Sequence, residues 1–121
     1  MDSEQSFSQY EFNKMIHEPA RLLILAFLAS SQEKERSFTE LRDHLQLTAG
    51  NLSVQLKNLQ DAGLINVRKS FEDGKPLTMV AITTDGANTL IDYLETMEKL
   101  IMTVKQEQPK PARPQKPMEE E

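Results

Sequence analysis

The chain has 121 residues, enough for one domain with one hydrophobic core and too few for a second. Its residues are 38% apolar and 27% charged, as in soluble globular folds, and no run approaches the ~18 apolar residues that cross a bilayer. Cysteine is absent, which excludes disulfides and thiolate metal sites, and a net charge of −5 argues against a surface that coats nucleic acid at large.

Residues 1–10 form a polar, acidic leader without the pattern of a signal peptide, and nothing points outside a reducing cytoplasm. Phe12, Met15 and Ile16 suggest a short helical turn, interrupted at His17-Glu18-Pro19. Pro19 suits a first helical position, where its missing N–H would be unpaired anyway. The stretch ARLLILAFLAS is apolar nearly all round from Leu22 to Leu28, so this first helix is buried on several sides, one of them against another subunit. Residues 32–36 read as a solvated loop.

Ser37 and Glu40 have the spacing of a capping box, and they open a short helix with the stripe Phe38, Leu41 and Leu45. Gln46-Leu47 is a tight connection, and Thr48 caps a third helix over 48–62. Leu52, Leu56 and Leu59 give that helix one apolar side, and it ends at Ala62-Gly63. Alternation then replaces helical periodicity. Ile65, Val67 and Phe71 share one face of a strand, Asn66, Arg68 and Ser70 the other. Turn residues Glu72 to Pro76 lead into a second strand from about Leu77 to Ile82, which completes a two-stranded hairpin over 64–83. Such a hairpin needs a helical layer to pack on.

Thr83 is a candidate cap for a long last helix, 84–104, in which Ala87, Leu90, Leu94, Met97, Ile101 and Val104 keep a heptad spacing. Residues 105–121, rich in proline and charge, are expected to be disordered. The acid lies mainly at the two ends. Residues 37–83 carry five basic and five acidic side chains, against four and six in 1–36 and five and eight in 84–121.

The expected fold is α+β, mainly α, in a single domain over 11–104: a winged helix-turn-helix with a hairpin wing and a C-terminal dimerisation helix. That order has a physical use. One α-helix fits the major groove of B-DNA, where each base pair offers a distinct set of donors and acceptors, and its partner helix braces it. A neighbouring two-stranded ribbon can reach phosphates or the minor groove. The segment LTAGNLSVQLKNLQDAGLINVRKSFEDGKP, followed by AITTDGANTL and preceded by HEPARLLILAFL and Phe38-Thr39-Glu40-Leu41, resembles the MarR- and ArsR-type winged-helix regulators over residues 10–104. The resemblance implies a homodimeric transcriptional regulator, more often a repressor, with double-stranded DNA as its partner and no enzymatic activity.

Helix geometry then assigns roles. Gly50, Asn51, Ser53, Val54 and Gln55 are candidate base contacts, since Asn and Gln can bond bidentately to adenine and Val54 can touch a thymine methyl. Val54 stands where the family often has a basic or hydroxyl residue. Thr48, Lys57, Asn58, Arg68, Lys69 and Lys75 are candidate phosphate contacts, opposed by Glu72 and Asp73. Leu23, Phe27, Leu90, Leu94, Met97, Ile101 and Val104 are candidate dimer contacts.

Plainer readings stay open: Asn51 bonded to its own backbone, the lysines as a solvated face, the heptad packed within its own subunit. A winged-helix adaptor that binds protein, motivated by the acidic total, Val54 and Asp61, is the alternative function. His17 and His44 lack metal spacing, with no cysteine to assist, and no nucleophile–base pair or phosphate loop is present, so no metal, cofactor or catalytic site is expected. A small apolar effector between the first helix, the last helix and a partner subunit is a further expectation, marked by no polar residue.

Overall fold

Pro19 fixes where the first helix begins. In the structure, a computed structural model that describes residues 7–107, helix α1 (Pro19–Ser30) starts at this proline, and the Glu18 carboxylate caps it by accepting the Arg21 N–H at 2.7 Å. The helical turn expected just before it is present as a single turn, closed by the His17 N–H on the Asn13 carbonyl at 2.8 Å. The Asn13 amide oxygen accepts the N–H groups of Met15 and Ile16, and Ile16 is fully buried. A short 3₁₀ turn (Phe7–Gln9) precedes these residues, and Tyr10 shares a hydrogen bond of 2.6 Å with the Thr103 hydroxyl, which ties the end of the leader to the last helix.

The chain after α1 is less open than expected. Strand β1 (Arg36–Ser37) pairs antiparallel with β3 (Lys75–Ile82), Arg36 facing Val80 and Ser37 facing Met79. Two residues cannot display alternation, so sequence patterning missed this strand. Helix α2 (Phe38–Leu45) follows with its capping box formed: Ser37 Oγ accepts the Glu40 N–H at 3.0 Å, and Glu40 Oε1 accepts the Ser37 N–H at 2.9 Å. Helix α3 (Ala49–Asp61) is capped by Thr48, and β2 (Ile65–Glu72) pairs with β3 from Ile65–Ile82 to Glu72–Lys75. The sheet therefore has three strands in the order β1-β3-β2. Asp73 and Gly74, both at positive φ, make the two-residue turn whose twist suits a hairpin.

Helix α4 (Thr84–Glu107) is capped by Thr83, whose hydroxyl oxygen accepts the Gly86 N–H at 2.9 Å. It runs three residues past the expected end at 104. Residues 105–107, expected to be disordered, are therefore helical, and the rest of that expectation, over 108–121, lies outside the described residues. Helix α1 is central, packing on α2, α3, α4 and β3. Its Ile24, Leu25 and Leu28 meet Leu41, Leu52, Leu56 and Leu59, Leu64 and Ile65 at the foot of the wing, Val80, and Leu90 and Tyr93 of α4. Burying each such side chain stabilises the fold by about 1.5–3 kcal/mol.

One expectation about α4 needs correcting. Leu90, counted as a dimer contact, is only 3% exposed and belongs to the core of its own subunit, so it has no surface to offer. Met97 packs partly against the same core. The reason is geometric: a straight helix turns about 100° per residue, so a heptad seam drifts by about 20° per repeat. It starts on one face and ends on another. Among the described residues no helix is long and apolar enough to cross a membrane.

Candidate nucleic-acid interface

The turn between α2 and α3 sets the angle of the exposed helix. Gln46 closes α2 in the left-handed region at φ 55°, and the Leu47 N–H reaches back to the Arg42 carbonyl at 3.1 Å. Thr48 Oγ1 then accepts the Asn51 N–H at 3.0 Å. At the far end Gly63, at φ 79°, allows a Schellman closure. Its N–H bonds the Gln60 carbonyl at 2.9 Å, and the Leu64 N–H bonds the Leu59 carbonyl at 3.0 Å. Both ends of α3 are thus fixed by local hydrogen bonds.

Leu52, Leu56 and Leu59 are buried, as their spacing required. Gly50, Asn51, Ser53, Val54 and Lys57 are exposed, and Val54 is 56% exposed despite being apolar. The remaining polar side chains divide between two flanks. Asn51, Gln55 and Asn58 lie on one flank, the latter two half-buried, and Arg21 of α1 reaches Gln55 there at 2.7 Å. Ser53, Lys57 and Gln60 lie on the other flank, facing the wing. Together with Phe38, Leu56, Val67, Lys69 and Thr78 they line a cleft of about 380 Å³. Its two lysines and its hydroxyls suit a sugar–phosphate strand running between helix and wing.

The wing projects past the core. Ile65 is buried and Val67 partly so, but on the same face Lys69 is exposed and Phe71 is 74% exposed near the tip. Among the described residues Lys69 and Lys75 form no ion pair, whereas Lys57 lies 3.2 Å from Asp61 one turn on. Arg68 differs from what its sequence position suggested. It is held bidentately by Glu35, with Nη2 and Nε donating at 2.7 and 3.0 Å. These hydrogen bonds hold the Glu35 carboxyl below the usual carboxylate range and push Arg68 up. Its charge is spoken for within the chain.

Of the candidate dimer contacts, Leu23, Leu94, Ile101 and Val104 are exposed. Phe27 is partly buried between the His44 ring, 5.0 Å away and stacked, and the Arg36 guanidinium at 5.0 Å. Sequence reasoning missed Ile91 and Met102, 52% and 54% exposed, which extend the outer apolar face of α4 alongside Leu94 and Ile101. A period of 3.6 instead of 3.5 would have found them. It also missed Arg21 and Glu35, whose partners lie more than thirty residues away and leave no local signal. His17 bonds the Tyr93 hydroxyl at 2.8 Å and stacks on Phe12, while His44 lies on Phe27.

A helix-turn-helix with an exposed outer face, flanked by a two-stranded hairpin, defines a winged helix. The model of the winged helix DNA-binding domain family matches residues 20–101, and the chain belongs to that family, in line with the MarR- and ArsR-type resemblance of its sequence. An uncharacterised protein of Methanocaldococcus jannaschii is 33% identical over 81 residues, covering 67% of this chain and 86% of the relative. A transcriptional regulator homologue from Pyrococcus horikoshii superposes with a TM-score of 0.72 at 27% identity, over 80% of this chain and 94% of that one. The regulator MepR of Staphylococcus aureus, solved as a DNA complex, shares the fold with a TM-score of 0.58 at 18% identity, over 82% of this chain and 75% of its own.

Proposed function

We propose that the protein is a cytoplasmic, homodimeric, sequence-specific DNA-binding regulator of transcription that acts as a repressor. Helix α3 enters the major groove, and the wing lies on the backbone or minor groove. The observation that carries this reading is the two-sidedness of α3: three leucines buried, with Gly50, Asn51, Ser53, Val54 and Lys57 exposed beside Lys69 and Lys75, which form no ion pair among the described residues. The MepR–DNA complex adds support, as a protein of the same fold bound to DNA. A dimer formed through the outer face of α4 would set two recognition helices about one helical turn apart, ~34 Å, on a roughly palindromic site.

Selection of bound fragments from genomic DNA tests this directly. The expected outcome is a palindromic site, for which Asn51→Ala loses sequence preference by about 1–3 kcal/mol at one position. Lys75→Ala should weaken all sequences alike and lower the salt slope by about one per contact. Variants that bind every duplex as the wild type does would refute these roles.

A protein-binding adaptor is the second reading, favoured by the exposed Val54 and Phe71 and by the ion pairs that engage Lys57 on α3 and Arg68 on the wing. Mixed duplex at low salt separates the two, since non-specific DNA binders reach Kd values of ~10⁻⁴–10⁻⁶ M and an adaptor would not bind.

A further inference from the structure

We propose that Phe71 is an apolar wedge that enters the minor groove beside the site read by α3 and partly unstacks a base step there. The proposal rests on α3 being the recognition helix. Phe71 is 74% exposed, more than any other large apolar side chain among the described residues. It stands near the end of β2, one residue before the Glu72–Lys75 pair that closes the hairpin. Its register partner is Pro76, whose ring has no N–H to solvate and little freedom to lose. One face of the wing therefore ends in a stiff apolar pair, which contact with phosphate alone would not call for.

Alternation decides which way the ring points. Phe71 shares a face with Val67 and Lys69, and those two line the cleft toward α3. Phe71, Pro76 and Lys69 also line a recess of about 310 Å³ on the wing itself. Glu72, opposite Lys75, is on the other face. Lys69 and Lys75 form no ion pair among the described residues, so their charge is free to draw this part of the wing to phosphate. Along the strand Phe71 lies about 7 Å beyond Lys69. A sugar–phosphate strand has the major groove on one side and the minor groove on the other. With α3 in the major groove and the strand in the cleft beside Lys69, the ring is carried past the phosphates to the minor-groove side. That groove is about 6 Å wide, too narrow for a ribbon whose two strands are themselves about 4.8 Å apart, so only a side chain enters. A phenyl ring offers no hydrogen bond to the groove and gains only by burial, as apolar wedges between base steps do. The steps that unstack most easily, TA and CA/TG, are those it selects.

The test uses the full chain and a duplex recovered by selection from a randomised pool. The probe is 2-aminopurine, in place of the adenine of the TA or CA step nearest the wing, and thermal unfolding is followed in parallel. Wild type should brighten this base, whose fluorescence rises as its neighbours unstack. Phe71→Ala should lose the brightening, the preference for that step and about tenfold in affinity, with the salt slope unchanged because no phosphate contact is removed. Phe71→Leu, which keeps a wedge, should recover most of each loss. Lys69→Ala should instead lower the salt slope by about one and leave the brightening in place. A recovered site with no such step beside it, wild-type binding without brightening, or a Phe71→Ala variant that brightens like wild type overturns the wedge and leaves the α3 reading standing. Loss of self-association in Phe71→Ala, followed by sedimentation velocity, overturns it too and makes the tip a protein contact. No wild-type binding to any duplex overturns the recognition-helix reading and the wedge with it.

Discussion

Arg68 and Glu35 illustrate how a single contact can change the role of a residue. An exposed ion pair contributes little to stability, but this one neutralises a cation of the wing. Because the Glu35 carboxyl is held below its ordinary value, the pair persists as pH falls through the usual carboxylate range and opens only below it. Glu35→Gln should raise affinity for mixed duplex and steepen the dependence of log K on log salt by about 0.9 per freed arginine, as read by anisotropy titrations at several salt concentrations. An unchanged slope would mean that Arg68 does not reach the backbone. Gly86 makes a second point at this scale. A Cβ there would collide with the Leu64 carbonyl oxygen and lie 2.9 Å from Ile82 Cγ1. Gly86→Ala should therefore cost about 1–3 kcal/mol in chemical denaturation, although the same change in an open helix gains about 1 kcal/mol.

At the scale of elements, α4 serves two faces with one sequence. Leu90 and Tyr93 are buried in the core, whereas Ile91, Leu94, Ile101 and Met102 form an outer apolar face. Substitutions on the two faces should part company. Leu90→Ala should destabilise the fold by about 2–5 kcal/mol, whereas Ile101→Glu with Met102→Glu should leave the unfolding midpoint of the monomer intact and abolish dimers in sedimentation velocity. Dimers that survive the double variant would place the interface elsewhere. The elements themselves were legible in the sequence because their punctuation is local: Ser37 with Glu40, Thr48, Gly63 and Asp73-Gly74 each act within a few residues. Strand β1 escaped because two residues hold no period, and the faces of α4 were blurred because a heptad template drifts around a straight helix.

For the whole molecule, the same division explains how far the interface could be read in advance. Which residues of α3 face outward follows from the leucine spacing alone. Which of their polar atoms are free does not, because the Arg21–Gln55 and Glu35–Arg68 contacts join residues 34 and 33 positions apart. The tertiary fold decides those. The overall charge of −5 is likewise compatible with a DNA-facing surface, since Lys69 and Lys75 are unpaired among the described residues and both lie on the wing. Such a surface should give a shallow salt dependence. Methylation interference at guanine N7, an atom that lies in the major groove, tests most directly whether the bare side of α3 enters that groove. The expected result is loss of binding for methylation in two patches about one helical turn apart, with one base position made indifferent by Asn51→Ala. Binding untouched by N7 methylation, or lost only on minor-groove modification, would contradict it.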